Sequence, residues 1–198
     1  MEPRRVEAEV KVAGSFKYAF TAIMASLSVA LSFIQIPFPL APFLKYDLAG
    51  IPLLVLSLAL GLKWGYLADL VLFLSLLRGG DPIGAFMKFA AEALTFTPMA
   101  IIARPRALNP AKLKRRYIAG SLAAGVSRVG GMVLLNYLID PLWLVLFYRL
   151  TWVKAYELTL ALIIPVAIFN ASIAAIYLAL TYPTYTTLLR RFRWLTNA

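Results

Sequence analysis

The sequence predicts an all-α integral membrane protein: a six-transmembrane-helix bundle with a long first external loop that acts as a lid. Its composition is the first reason. The chain has 198 residues, of which 62% are hydrophobic, and its mean hydropathy is +0.79. Soluble domains are about 45–50% apolar, so a soluble fold of this length would leave much apolar surface in water. The second reason is that the apolar residues form six runs with basic residues concentrated between them.

Composition also argues against other classes of protein. The net charge is +11, but the basic residues lie at the ends of apolar runs, where they set membrane orientation and meet anionic lipid, so no nucleic-acid partner is expected. The chain has no Cys and no His. We therefore expect no disulfide framework, no metal site and no protein-bound cofactor. The first apolar run lacks a small-residue cleavage pattern, so we also expect no cleavable signal peptide.

The six apolar runs make one membrane domain. We expect a cytoplasmic N-terminal segment over residues 1–15, a six-helix bundle over 16–182 and a basic cytoplasmic tail over 183–198. The predicted helices cover residues 16–34, 47–62, 64–77, 84–103, 117–138 and 157–182.

The second and third runs are short and are separated only by the sequence GLKWG at residues 61–65. Gly61 and Gly65 favour a tight turn, and Trp64 suits the membrane interface, so we predict a helical hairpin. The alternative is one tilted helix of about 30 residues made from both runs.

The stretch 142–156 is apolar and aromatic, but Arg149 and Lys154 interrupt it. It is too short to span a membrane beside the run at 157–182, so we predict an interfacial or re-entrant segment in the fifth loop. A seventh span here is the alternative, and it would move the C-terminus to the other side of the membrane.

Orientation follows from the distribution of Lys and Arg. With the N-terminus inside, fourteen of the 20 basic residues fall in inner segments and five in outer segments. This asymmetry predicts a multi-pass plasma-membrane protein with both termini in the cytoplasm.

The first helix carries a stripe of small residues, Ala22, Ser26 and Ala30, spaced four apart. Such a stripe allows another helix to approach closely, because helix association in lipid depends on contact packing. The partner helix can belong to another protein or to this bundle, and a high alanine content alone also produces such stripes.

The loop 35–47 contains three prolines and is too apolar for a solvated loop. Prolines stiffen it, and Phe38, Phe43 and Tyr46 provide surfaces for a planar ligand. We predict a lid over a pocket that opens to the outside. A membrane-surface connector is the alternative, and N-capping of the next helix alone would explain Asp47.

Charged residues within apolar runs are costly in a bilayer, and each is a site hypothesis. Lys88 and Glu92 are four apart on the fourth helix, so they share a face and can pair. Asp69 on the third helix and Arg128 on the fifth are single opposite charges. We predict a structural ion pair between Asp69 and Arg128.

Two amides also lie in the apolar runs. Asn136 is near the outer end of the fifth helix, and Asn170 is in the sixth. Each amide offers two donors and an acceptor to ligand hydroxyls or amides. Hydrogen bonding between helices is the alternative for both residues.

Three motifs are similar to those of substrate-binding (S) components of energy-coupling factor (ECF) vitamin transporters. The sequence FLKYDLAGIP at residues 43–52 resembles the entry to their second helix, in the riboflavin-specific branch above all. The sequence GGDPIGAF at 79–86 resembles a loop before their fourth helix. Pro165, Phe169 and Asn170 match the pattern P-x-x-x-F-N-x-x-K of the riboflavin branch, but Ile173 stands at the lysine position.

The resemblance implies high-affinity binding and uptake of a vitamin, most closely riboflavin, by a protein that is not an enzyme. It implies a coupling transmembrane (T) component docked on the small-residue stripe, and two ATPase subunits, since no phosphate-binding loop is evident here. From this resemblance and from the polar groups in the apolar runs, we expect the substrate-binding residues to be Phe43, Leu44, Lys45, Tyr46, Asp47, Lys88, Glu92, Asn136 and Asn170.

Other functions stay open at this point. Because Ile173 replaces the lysine, the ligand can be another small vitamin or a nucleobase-like molecule. From a different class, the chain can be an integral membrane enzyme or a structural membrane protein without a ligand.

Overall fold

The computed structural model describes residues 2–104 and 110–191, with side chains described for 14–104 and 112–188. This part of the chain contains six α-helices, one short 3-10 turn and a two-stranded hairpin. In order they are α1 (Glu2–Ser32), β1 (Ile36–Phe38), β2 (Ala41–Tyr46), α2 (Gly50–Leu60), α3 (Leu62–Leu76), the 3-10 turn (Leu77–Gly79), α4 (Pro82–Ala103), α5 (Pro110–Tyr148) and α6 (Trp152–Arg191).

All six predicted helices are present, but they are not six equal spans. Within the described residues, four helices are long and apolar enough to cross a membrane, in α1, α4, α5 and α6. The helices α2 and α3 have 11 and 15 residues. Their lengths of about 17 and 23 Å are less than the roughly 30 Å of a hydrocarbon core. The six-helix bundle is thus present as four helices of spanning length and a shorter pair, α2 and α3.

The shorter pair forms the predicted hairpin rather than one tilted helix. Gly61 ends α2 with φ 102°, a conformation that favours glycine, and donates its N–H to Ser57 at 2.9 Å. A Cβ added to Gly65 would lie 2.8 Å from the Ser57 side chain. Residues eight apart in one straight helix would be about 12 Å apart, so the chain reverses at Gly61.

The helix α2 lies at the centre of the bundle, in contact with α1, α3, α4 and α6. Nearly all of its residues are buried, which explains why it is apolar on every face. Gly50, its first residue, is pressed against the Tyr177 ring and the Glu92 carboxylate, leaving no room for a Cβ. This close approach brings α2, α4 and α6 together at one point.

The prediction of a separate interfacial or re-entrant segment at 142–156 is wrong, and there is no seventh span in the described residues. The helix α5 continues to Tyr148, and α6 begins at Trp152. The chain reverses in the three residues between them, where Arg149 has φ 54°. The apolar residues that resembled a separate segment are thus the ends of two long helices.

The prolines at 37, 39 and 42 lie in a β-hairpin, hereafter the 36–46 hairpin. Its strands pair antiparallel from Ile36 opposite Tyr46 to Phe38 opposite Ala41. The buried Phe38 ring packs against the rings of Tyr46 and Phe169, with centroids 5.7 and 5.6 Å away. The Tyr46 hydroxyl is hydrogen-bonded to Ser172 at 2.7 Å. These contacts seat the hairpin on α6, as expected for a loop too apolar for water.

The first and last helices approach the same end of the bundle, opposite the 36–46 hairpin. Tyr18 of α1 packs against Trp64 at the α2–α3 turn, with ring centroids 5.1 Å apart. At the same end, Tyr117 near the start of α5 donates a hydrogen bond to the Leu178 carbonyl of α6 at 2.7 Å. The chain therefore crosses the bundle an even number of times between the start of α1 and the end of α6.

Candidate functional site

A cavity of about 680 Å³ lies beneath the 36–46 hairpin. Its walls come from α4, α5 and α6 together with β2 and the loop before α4. One face of α5 supplies a continuous stripe at a spacing of four residues: Arg128, Met132, Asn136, Asp140, Leu144 and Tyr148. Side chains four apart share a helix face, so the full length of this stripe faces the cavity. The volume of the cavity is within the usual range for small-molecule sites.

Most of the predicted substrate-binding residues line this cavity. The lining members are Phe43, Leu44, Lys45, Asp47, Lys88, Asn136 and Asn170. The other two lie behind the wall. Tyr46 faces Ser172 and the rings of Phe38 and Phe169, and Glu92 is buried behind Lys88.

The predicted pair of Lys88 and Glu92 is the centre of a larger buried network. The Lys88 ammonium lies 2.8 Å from both the Glu92 and the Asp47 carboxylates. The Tyr177 hydroxyl accepts from Lys88 at 3.2 Å and lies 3.1 Å from Asp47 and 3.3 Å from Glu92, to either of which it can donate. Paired and hydrogen-bonded charges avoid most of the cost of burial, so three separate segments, the loop before α2, α4 and α6, are tied together here.

Arg128 extends the network to α5. Its Nη1 lies 3.4 Å from the Glu92 carboxylate and donates to the Thr95 hydroxyl at 2.8 Å. Its Nε donates to the Asn170 amide oxygen at 3.2 Å. The guanidinium carbon lies 5.3 Å from the centre of the Tyr177 ring, close enough for a cation–π interaction. Within the described residues, the network therefore contains two basic side chains and two carboxylates.

The predicted ion pair between Asp69 and Arg128 is wrong. Asp69 is fully buried, and neither carboxylate oxygen has a hydrogen-bond partner in the described residues. The helix α3 packs against α1, α2 and α4, whereas α5 packs against α4 and α6. Because α4 lies between them, Arg128 meets Glu92 of α4 instead.

Two aspartates precede helices of the site, and only one of them is an N-cap. Asp47 accepts from the Ala49 N–H at 2.9 Å, but α2 begins at Gly50 and its N-cap residue is Ala49. Asp47 is therefore a turn residue and an ion-pair partner rather than the N-cap. Asp81 does cap α4, since it accepts from the Gly84 N–H at 2.8 Å with Pro82 at the first helical position.

The two asparagines lie on adjacent walls of the cavity. Asn136 donates to the Met132 carbonyl at 2.7 Å, and Asn170 donates to the Val166 carbonyl at 2.9 Å, each within its own helix. One amide N–H on each residue remains for a ligand. Asn170 also accepts from Arg128, so it links α5 to α6 as well.

Several residues of the site were not predicted. Tyr177 belongs to the network, Gly50 packs against it, and Asp140 and Trp143 line the cavity. The helical spacing of Arg128, Asn136 and Asp140 was a usable signal, since three polar residues four or eight apart in an apolar helix mark one polar face. No comparable pattern pointed to Tyr177 or Gly50.

The small-residue stripe lies outside this site. Ala22, Ser26 and Ala30 are exposed on α1, whereas Ala25 and Ser28 between them are buried. Ser28 donates to the Ala49 carbonyl at 2.7 Å, which fixes the inner face of α1 to α2. Internal packing within the bundle therefore does not account for the stripe.

Taken together, the chain is an α-helical membrane protein whose helices enclose a cavity with a charged, hydrogen-bonded floor. Within the described residues, no group of three or more Asp, Glu, His or Cys side chains can hold a metal ion.

One solved structure with the same fold is described as the S component of a bacterial ECF transporter. The TM-score is 0.69 at 19% sequence identity, and the match covers 89% of this chain and 97% of that chain. No protein-family model matches the chain, and no curated protein sequence matches it.

Proposed function

We propose that this chain is the substrate-binding S component of an ECF-type transporter and that it binds riboflavin for uptake. The observation that carries the proposal is the cavity of about 680 Å³ beneath the 36–46 hairpin, in a fold shared with an S component. A T component and two ATPase subunits are the partners that this function requires.

The chemistry of the cavity suits a flat ligand with a polar chain. Phe43 and Trp143 both line it, and their ring centroids are 6.4 Å apart. Such rings stack on planar heterocycles. Asn136 and Asn170 each retain an N–H for hydroxyl groups, and three residues of β2, Phe43, Leu44 and Lys45, also line the cavity.

A different small vitamin or a nucleobase-like compound is the second candidate. The specific observation is Ile173, which is 1% exposed and lines the cavity. The riboflavin motif that this region resembles has lysine there. An apolar side chain at that position offers no hydrogen bond to a hydroxylated chain.

Titration with riboflavin tests the proposal directly. We expect the purified protein in neutral detergent to bind riboflavin stoichiometrically and to quench flavin fluorescence. Competition by other vitamins and by nucleobases would identify the second candidate. A folded protein that binds none of these compounds would contradict the assignment as an S component for such ligands.

Replacing Asn170 by Leu is expected to weaken riboflavin binding by about five- to 150-fold. The volume is nearly kept, but a ligand hydroxyl loses its partner, at a cost on the order of 1–3 kcal/mol. Calorimetric titration measures the change. The variant also removes the acceptor for Arg128, so its thermal unfolding must be recorded to establish that the protein is folded.

A matched control for this variant is Thr181→Val. Thr181 is fully buried on the same helix, has no hydrogen-bond partner in the described residues and does not line the cavity. Its riboflavin affinity should stay within about twofold of the wild type. If Asn170→Leu is folded and binds riboflavin as well as this control, the cavity is not the riboflavin site.

Both termini are expected in the cytoplasm. The motivation is the excess of Lys and Arg in the segments assigned to the inside, together with the even number of passes. Cysteine introduced at position 3 or 196 should react with a membrane-impermeant maleimide only after the membrane is opened, whereas cysteine at position 40 should react in intact cells. Labelling of positions 3 and 196 from opposite sides would contradict the topology.

A further inference from the structure

We infer that Asp140 gives the cavity a preference for a flat nitrogen heterocycle that carries a positive charge. The inference rests on the proposed binding function and favours its second candidate, because riboflavin is neutral at physiological pH and would leave Asp140 without a cationic partner.

Asp140 is a carboxylate without a partner at the cavity wall. It lines the cavity one helical turn beyond Asn136 on α5 and is half-buried. Among the described residues it makes no hydrogen bond and no ion pair. A carboxylate held in a partly dry cavity gains most from a ligand that supplies a cation or a strong N–H donor.

Most of the other charges around the cavity are already engaged, whereas Lys45 of β2 is exposed and has no ion pair among the described residues. Lys88 is paired with Asp47 and Glu92, and Arg128 is paired with Glu92. Asp81 accepts from the backbone at the start of α4.

The charges of the whole site do not cancel. The lining contains three basic residues, Lys45, Lys88 and Arg128, and three acidic residues, Asp47, Asp81 and Asp140. Glu92 lies directly behind them and is bonded to Lys88 and Arg128. Four carboxylates therefore face three cations, so a singly charged cationic ligand would neutralise the site, whereas a neutral ligand would leave one carboxylate uncompensated.

An aromatic wall adjoins Asp140. Trp143 is three residues further along α5, so it shares the cavity face with Asp140. Its ring lies 6.4 Å from Phe43 of the 36–46 hairpin and 5.0 Å from Tyr148. Tryptophan faces attract cations, and they also stack on flat rings. A carboxylate beside such a wall is suited to an aromatic cation.

Two fluorescent tricyclic probes of similar size test the inference: proflavine, which is a cation at neutral pH, and lumiflavin, which is neutral. Affinities are measured with the purified protein in neutral detergent, for the wild type, for Asp140→Asn and for Glu157→Gln. Glu157 is an exposed carboxylate of α6 that does not line the cavity, so its variant controls for general loss of negative charge.

We expect the wild type to bind proflavine at least about tenfold more tightly than lumiflavin. Asp140→Asn should remove most of this preference and leave lumiflavin binding within about twofold, while Glu157→Gln should bind both probes like the wild type. No preference in the wild type, a preference that survives Asp140→Asn, or no binding of proflavine would each overturn the inference.

Titration with riboflavin separates this inference from the proposed function. Tight riboflavin binding that is unchanged in Asp140→Asn would uphold the binding function and overturn the role of Asp140. A proflavine preference that depends on Asp140, in a protein that does not bind riboflavin, would uphold the inference and overturn riboflavin as the ligand.

Discussion

Glu92→Leu is expected to lower the free energy of unfolding by on the order of 3–5 kcal/mol, because it leaves the buried Arg128 guanidinium without its carboxylate partner. Glu92 is 1% exposed and bonded to both Lys88 and Arg128. Denaturation with sodium dodecyl sulfate, followed by circular dichroism, measures the change. Glu157→Gln, an exposed carboxylate on α6, is the control and should change stability by less than about 0.5 kcal/mol.

The double variant Glu92→Met/Arg128→Met makes this test specific to charge. Removing both partners leaves Lys88 paired with Asp47 at 2.8 Å, and the network is again neutral. We expect the double variant to lose less stability than the sum of Glu92→Met and Arg128→Met, with a coupling on the order of 0.5–3 kcal/mol. Simple additivity of the two single variants would show that the ion pair does not contribute as described.

Ala22→Leu/Ser26→Leu is expected to abolish assembly with a T component and its ATPases while leaving ligand binding intact. Both residues are exposed on α1, away from the cavity. Two added isobutyl groups would prevent the close helix approach that small residues allow. Co-purification of a tagged variant with the co-expressed partners, at matched expression, measures assembly, and titration with riboflavin measures binding.

The sixth helix offers a matched control for this variant. Ala171 and Ala175 are also small, four apart and exposed, so Ala171→Leu/Ala175→Leu adds similar bulk to another face. It should assemble normally. Loss of assembly in both variants would point to a general effect of bulk. Loss of ligand binding in the α1 variant would show that the stripe supports the cavity.

The helices could be predicted from the sequence because their signals are local. Runs of apolar residues identified all six, and Gly61 identified the reversal between α2 and α3. The spacing of four between Lys88 and Glu92 was enough to predict their ion pair, which is present at 2.8 Å. Each of these features depends on residues close together in the chain and on the fixed geometry of one helix.

The candidate site was predicted in part. Seven of the nine proposed substrate-binding residues line the cavity. They were proposed because polar groups in apolar helices are costly, or because of motif resemblance. Tyr46 and Glu92 lie behind the cavity wall. The direction in which a side chain points within a packed bundle depends on the neighbouring helices and strands. Asp140 was missed although its spacing of four residues from Asn136 was a usable signal, because no charged partner lies on the same face one turn away.

The sequence by itself determined the class of fold and the positions of the helices, because hydrophobic runs and helical periodicity need no knowledge of neighbours. The exposure of the small-residue stripe on α1 was decided by the tertiary structure. Only the tertiary structure decided which charges meet. Arg128 pairs with Glu92 and leaves Asp69 without a partner, because α4 lies between α3 and α5. The tertiary structure also decided that Gly50 and Tyr177 are in close contact, although they are distant in the chain. Contacts between helices depend on their order around the bundle, and no local pattern encodes that order.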